Sequence, residues 1–282
     1  MVEVQQRAQA LWPEIAAALD LPAEGARFRR MQVNSRCEDL RCVLRITTAD
    51  AAEYVLRAEF GGVTPTRLAR RLERHSAAAR ALADVPGVSV PEILFQDPQR
   101  GLALMEFAPG DTGARELAMS GYGLGRREAV LQRAGHAVAA LHRVSALQER
   151  RFWPKPFLAD VAKQAQRVRD DTLSVLRPKK FLGLCAYLHR QGRRARGCRF
   201  IAAVEHGDLH LRNMLMSAEQ VTFIDFSNHN GNFPQRDLAN LWLANCPDLQ
   251  APQGQVVGFG GVAKADWQAF AQGYGSDPAD DP

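Results

Sequence analysis

Apolar residues recur at helical spacing over residues 7–20, where Leu11, Ile15 and Leu19 share a face, and this pattern predicts a short amphipathic helix with Pro13 early in it. The period then changes. Residues 28–33, 40–47 and 54–60 are short runs with strand character, separated by polar links, and predict three antiparallel strands. Residues 66–82, rich in Ala and Arg, place Leu68, Leu72, Ala79 and Leu82 along one face and predict a strong helix. Two more strands are predicted over 88–95 and 102–107 before Pro109-Gly110 breaks the chain.

Beyond residue 110 the pattern is mostly helical. Residues 126–147 carry Val130, Leu131, Ala134, Val138, Leu141 and Val144 on a wide apolar stripe, and 157–176 and 181–190 predict weaker helices. Between 201 and 226 the period returns to that of strands, with short ones over 213–216 and 221–226 joined by Ala218-Glu-Gln. A last helix is predicted near 266–274. The order, a β-rich segment followed by a helical one, predicts an α+β protein with two domains, 1–107 and 108–282.

Composition excludes several classes. With 282 residues and 46% hydrophobic content the chain can bury a substantial core. Its apolar stretches fall far short of the roughly 20 residues that span a bilayer. The first residues lack the basic and apolar regions of a secretory signal. Five cysteines (37, 42, 185, 198 and 246), odd in number and without a Cys-x-x-Cys, argue for reduced thiols rather than disulfides or a zinc cluster. The expected location is the cytoplasm. Net charge is +5, but residues 150–199 hold fourteen basic side chains against three acidic ones, which leaves the rest of the chain at −6. A one-sign segment of this kind either is a solvated helical face or steers an anionic partner. Phe181 and Tyr187 are the only aromatics between Lys163 and Arg199, too few for a stacking nucleic-acid platform, so no nucleic-acid partner is expected. An anionic membrane surface is the peripheral partner that the stretch would suit.

The chemistry is concentrated in His206-Gly-Asp-Leu-His-Leu-Arg-Asn and Val221-Thr-Phe-Ile-Asp-Phe. Asp208 precedes a short strand, Asn213 begins it, and Asp225 ends the return strand. A tight hairpin would bring all three to one end. Phosphoryl transfer needs that set: a carboxylate to orient the acceptor hydroxyl and take its proton, and hard oxygen ligands for magnesium.

These two segments resemble the catalytic and metal-binding segments of the aminoglycoside phosphotransferase and choline kinase-like family. Its pattern is His-Gly-Asp-x-His-x-x-Asn followed by Ile-Asp-Phe or Ile-Asp-Trp, and His206, Gly207, Asp208, His210, Asn213, Ile224, Asp225 and Phe226 fill its places. The resemblance implies a two-lobed protein-kinase-like fold: a small antiparallel-sheet N-lobe with one helix that binds nucleotide, and a larger, mainly helical C-lobe. It implies Asp208 as catalytic base, and Asn213 and Asp225 as ligands of Mg2+ on ATP. Leu102-Ala-Leu-Met-Glu-Phe-Ala-Pro-Gly resembles the family's hinge, where the backbone of Glu106 and Ala108 would meet the adenine edge. Glu73 matches the helix glutamate that pairs with a basic strand residue, here Arg57. Asp237 is similar to an aspartate that braces the catalytic region and is read as structural. His206 and His210 are read as orienting groups.

Two features depart from the family pattern. Arg57 stands where lysine is usual, and its planar fork differs in reach from an ammonium. Residues 28–60 contain no glycine, so the turn over 34–39 must cover phosphates with Ser35, Arg36 and inward backbone N–H groups. The function expected is ATP- and Mg2+-dependent transfer to a hydroxyl of a small molecule. Because the 150–199 stretch would repel a polycation, a neutral or anionic acceptor is expected over an aminoglycoside. The alternatives are a kinase of lipopolysaccharide core sugar and a nucleotide-binding pseudokinase.

Overall fold

The computed structural model describes residues 2–36, 39–227, 232–245, 249, 251, 253–258 and 261–277. Packing separates two units, one made of Met1–Ser145 with Val204–Pro278 and the other of Ala146–Ala203. None of the described helices is long and apolar enough to cross a membrane.

The larger unit opens with helices α1 (Val2–Gln9) and α2 (Trp12–Ala18), where the sequence pattern predicts one. The difference lies at Pro13, which cannot donate to a continuing helix and is accommodated in the first turn of a new one. Strands β1 (Arg27–Arg36), β2 (Asp39–Thr47), β3 (Glu53–Glu59), β5 (Ile93–Asp97) and β6 (Leu102–Glu106) form an antiparallel sheet in the order β1-β2-β3-β6-β5. Strand alternation divides its residues between two faces. Cys42, Leu44, Ile46, Leu56, Ala58, Leu102 and Leu104 are fully buried against Trp12 and Ile15 of α2. Residues of opposite parity, among them Val43, Val55, Arg57 and Met105, turn to the other side and line a cavity. Helix α3 (Pro65–Leu82), capped by Thr64, packs on that side through Leu68 and Leu72 against Ala103.

The single strand predicted over 88–95 is two. Strand β4 (Val88–Ser89) pairs in parallel with β11 (Val221–Phe223), and β5 joins the first sheet. Pro91, without an N–H for a ladder, lies between them. A second sheet runs β4-β11-β10-β7, with β7 at Asp111–Thr112 and β10 at Met214–Met216. Behind it the second core gathers Leu131, Val138, Met214, Phe223 and Phe270 from α5 (Arg127–Val144), the β10–β11 hairpin and a C-terminal helix, Lys264–Tyr274. Two helices of this part, α4 (Gly113–Ser120) and one over Pro234–Ala244, are not apparent in the hydrophobic pattern.

In the smaller unit β8 (Ala146–Arg151) pairs antiparallel with β9 (Arg199–Ala203), and α6 (Lys155–Arg169) packs against α7 (Pro178–Arg194). In chain order the Pro234–Ala244 helix is then α8 and the Lys264–Tyr274 helix α9. The basic residues of 150–199 are all exposed, and the Arg196 guanidinium lies over the Trp153 ring at 5.4 Å.

Candidate active site

The β10–β11 hairpin sets the geometry. Met214 faces Phe223 and Met216 faces Val221, and the Ile224 amide donates to the Asn213 carbonyl at 3.0 Å, so Asn213 and Asp225 lie at the same end. Asn213 is buried and gives its Nδ2 to the Asp208 carbonyl at 2.9 Å, fixing the loop that carries Asp208. The Asp208 side chain stays 58% exposed, and Nε2 of the His210 imidazole lies 3.9 Å from its Oδ2. Asp208, Asn213 and Asp225 are thus brought together at one end of the hairpin.

The loop before Asp208 hangs on Asp237. Its wholly buried carboxylate accepts from the His206 amide at 2.6 Å and the Gly207 amide at 2.9 Å, and meets His142 Nε2 at 3.3 Å. Gly207 adopts φ +83°, which is why glycine separates His206 from Asp208. Burial alone would raise the Asp237 pKa; the hydrogen bond and charge of His142 and the Gly207 amide outweigh it and hold the carboxyl below its usual range. His206 is buried as well, its ring Nε2 bonded to the Ile224 carbonyl at 3.0 Å, and burial lowers its pKa to about 4. It is therefore neutral at pH 7 and anchors the loop to the hairpin rather than carrying a proton.

That depression has a measurable consequence. The unfolded chain binds the His206 proton near pH 6.5, and the folded chain refuses it until about pH 4, so stability is full above 6.5 and falls with pH between those limits. At 1.36 kcal/mol per pKa unit the loss is about 3 kcal/mol. Urea denaturation of wild type and His206→Gln from pH 7 to pH 4 should show a steeper decline in wild type than in the variant, which retains the buried His75. Parallel curves would exclude it.

Arg57 bonds to Asp225 Oδ1 through Nη1 at 2.6 Å and to Glu59 through Nε. Burial pushes the Asp225 pKa up, but the charge and hydrogen bond of Arg57, with Arg71 and Arg41 beyond, hold it down. Asp225 sits at φ +63°, a left-handed conformation that a short polar side chain tolerates. The carboxylate that steadies Arg57 is Glu59, not Glu73 as expected. Glu59 is buried and also takes Nη2 of Arg71, whereas Glu73 is exposed. At 100° per residue Arg67, Arg71 and Arg74 form one stripe of α3, and Glu73 lies off it. Glu59 was legible in principle, since residues 55, 57 and 59 of a strand share a face. Gly101 fits beneath it, because a Cβ there would lie 1.9 Å from the Glu59 carbonyl.

A cavity of about 250 Å³ lies over Arg57 and Asp225, walled by Val43, Val55, Leu215 and Ile224, with Glu106 and Ala108 at its rim. The Glu106 amide is already bonded to the Glu92 carbonyl at 3.1 Å and that of Phe107 to Glu53 at 3.3 Å. A second hollow, of about 180 Å³, continues from the same Arg57 and Asp225 to Asp208. Ser35 lies in β1, but its side chain is outside the described residues, as is that of Arg36. No cluster of three or more His, Cys, Asp or Glu ligands occurs among the described residues.

The sequence profile of the phosphotransferase enzyme family matches residues 31–272. No curated protein matches the chain by sequence. Among solved structures, the chain resembles a choline/ethanolamine kinase family protein from Mesorhizobium loti at 18% identity and TM-score 0.62, over 97% of this chain and 77% of that one. It resembles a macrolide 2'-phosphotransferase from Brachybacterium faecium at 19% identity and TM-score 0.58, over 95% and 83%. An amicoumacin kinase in complex with AMP-PNP and Ca2+ is similar at 17% identity and TM-score 0.52, over 98% and 80%. These likenesses are of fold, the two-lobed α+β arrangement that the sequence implies.

Proposed function

The chain belongs to the phosphotransferase enzyme family, and we propose that it transfers the γ-phosphoryl group of Mg2+-bound ATP to a hydroxyl of a small molecule. One observation carries this reading: Arg57 and Asp225 are shared by a cavity with apolar walls and by the hollow that reaches Asp208, whose carbonyl takes Nδ2 of Asn213. The apolar walls suit a purine. With the Glu106 and Phe107 amides engaged, the Glu106 carbonyl and the Ala108 backbone are what the hinge would offer to the adenine edge. Residues 1–107 would then supply the nucleotide lobe and 108–282 the catalytic groups.

Arg57, held by Glu59, binds phosphate oxygens with its delocalised charge. Giving Nδ2 to the Asp208 carbonyl leaves Asn213 Oδ1 as a hard oxygen, and Asp225 has one carboxylate oxygen beyond the one given to Arg57. This pair fits Mg2+, which favours one or two protein oxygens plus substrate phosphates. When bound, the ion would offset charge on the phosphates. Asp208 orients the acceptor hydroxyl and takes its proton as the new O–P bond forms and the bond to the ADP oxygen breaks. The acceptor is neutral or anionic, because the exposed basic surface of 150–199 opposes a polycation.

A Mg2+-dependent ADP-release assay across sugars, polyols, phosphorylated sugars, amino alcohols and aminoglycosides tests this. Turnover should require both Mg2+ and a hydroxyl acceptor without a high positive charge. ATP binding with no acceptor-dependent turnover would overturn the catalytic reading, and an aminoglycoside as best acceptor would overturn the charge argument.

A further inference from the structure

The hollow beside Asp208 is lined by four guanidinium groups, from Arg41 of β2, Arg57 of β3, and Arg67 and Arg71 of α3, against two carboxylates, Asp208 and Asp225. Ladder register explains the first two. Arg41 pairs with Glu59 and Val43 with Arg57, so Arg41, Arg57 and Glu59 share the inner face, opposite the one that buries Cys42 and Leu56. Helical spacing adds Arg67 and Arg71, four residues apart.

These groups are incompletely satisfied. Nε of Arg41 and Nη2 of Arg57 are buried and have no hydrogen-bond partner. Arg71 is bonded to Glu59, yet burial and the charge of Arg57 lower its pKa. Among the described residues neither Arg41 nor Arg67 makes an ion pair. Buried donors without acceptors are costly, and like charges held side by side need an anion between them. Meanwhile residues 28–60 contain no glycine, the residue that lets the backbone amides of a turn come close to a phosphate.

We propose that Arg41 is a phosphate-binding residue and that, with Arg57, Arg71 and the rim residue Arg67, it forms a guanidinium cradle for the terminal phosphates of the nucleotide, in place of the amides of a glycine-rich turn. The proposal rests on the kinase reading and extends it to residues outside the catalytic motif. Guanidinium pairs with phosphate oxygens through two parallel N–H bonds, which suits a chain of phosphoryl oxygens.

The test compares ATP and adenosine binding to wild type and Arg41→Met by titration calorimetry, with thermal melting of both proteins and an Arg67→Met control. Arg41→Met should lose about tenfold to hundredfold in ATP affinity, the range of one or two charge-assisted bonds. Its adenosine affinity should be unchanged and its melting temperature equal or higher, since a buried Nε with no hydrogen-bond partner among the described residues has been removed. The salt dependence of ATP binding should flatten. Arg67→Met, at the rim, should lose less. Unchanged ATP affinity in Arg41→Met would overturn the proposal, as would equal losses for ATP and adenosine. A rise only in the KM of a phosphorylated acceptor would assign the cradle to the acceptor and overturn it too. Wild type that binds no ATP would overturn the kinase reading together with the cradle, whereas tight ATP binding indifferent to Arg41 sinks the cradle alone.

Discussion

Asp208→Asn folds, binds ATP and transfers phosphate about 10²–10⁴-fold more slowly than wild type. The expectation comes from where the side chain stands. It is 58% exposed and its one ion-pair contact among the described residues is the His210 ring, at 3.9 Å, so its packing contribution is small. The main chain at this position does the structural work, since the Asp208 carbonyl takes the Asn213 amide at 2.9 Å and its N–H faces His206 Nδ1 at 3.4 Å, and both contacts survive in asparagine. Asparagine keeps the shape and loses the basic oxygen, which isolates proton acceptance from binding. The rate is read with a coupled ADP assay, ATP affinity by calorimetry, and integrity by melting temperature. A kcat within a few-fold of wild type would remove Asp208 from the role of base. A variant that no longer melts cooperatively would show instead that its carboxylate supports the loop.

The distribution of what the sequence discloses follows the range of the forces involved. Alternation in 40–47 and 54–60 identifies β2 and β3 because one sheet face is fully buried and the other is not, a contrast that each strand carries by itself. The catalytic segment is legible because Asp208, Asn213 and Asp225 are placed by a hairpin whose two strands are adjacent in sequence. Glu59 is different. Choosing it over Glu73 depends on the rotation of α3 against the sheet, which Leu68, Leu72 and Ala103 decide by packing across some thirty residues of chain. That residues 88–95 hold two strands and not one escapes notice because the partner of β4, Val221–Phe223, lies more than a hundred residues away. Strand β8, Ala146–Arg151, is exposed at every position and so has no hydrophobic signature. The basic stretch of 150–199 illustrates the limit of charge counting, since a surplus in sequence became an exposed surface, whereas four arginines scattered over β2, β3 and α3 converge on one hollow.

Asp237→Ala should lose about 3–5 kcal/mol of folding stability, a large part of the roughly 5–15 kcal/mol available to a domain. The carboxylate is wholly buried and ties two elements to its own helix α8: the catalytic loop through the backbone amides of His206 and Gly207, and the end of α5 through His142. Alanine leaves two buried N–H groups and an imidazole without their acceptor, and each unmet buried group costs about 1–3 kcal/mol. Asp237→Asn, which retains one carbonyl oxygen, should recover part of the loss but turns an amide N–H toward a donor. The dependence on pH separates this from simple cavity formation. Because the folded-state pKa of Asp237 lies below its ordinary value, its contribution is present above the unfolded pKa near 3.9 and is lost as pH falls through the folded one. The gap between wild type and Asp237→Ala in urea denaturation should therefore be constant from pH 7 to pH 5 and narrow below pH 4. A gap under 1 kcal/mol at pH 7, or one that persists undiminished at the lowest pH where both proteins fold, would mean that the carboxylate charge does not hold the catalytic loop in place.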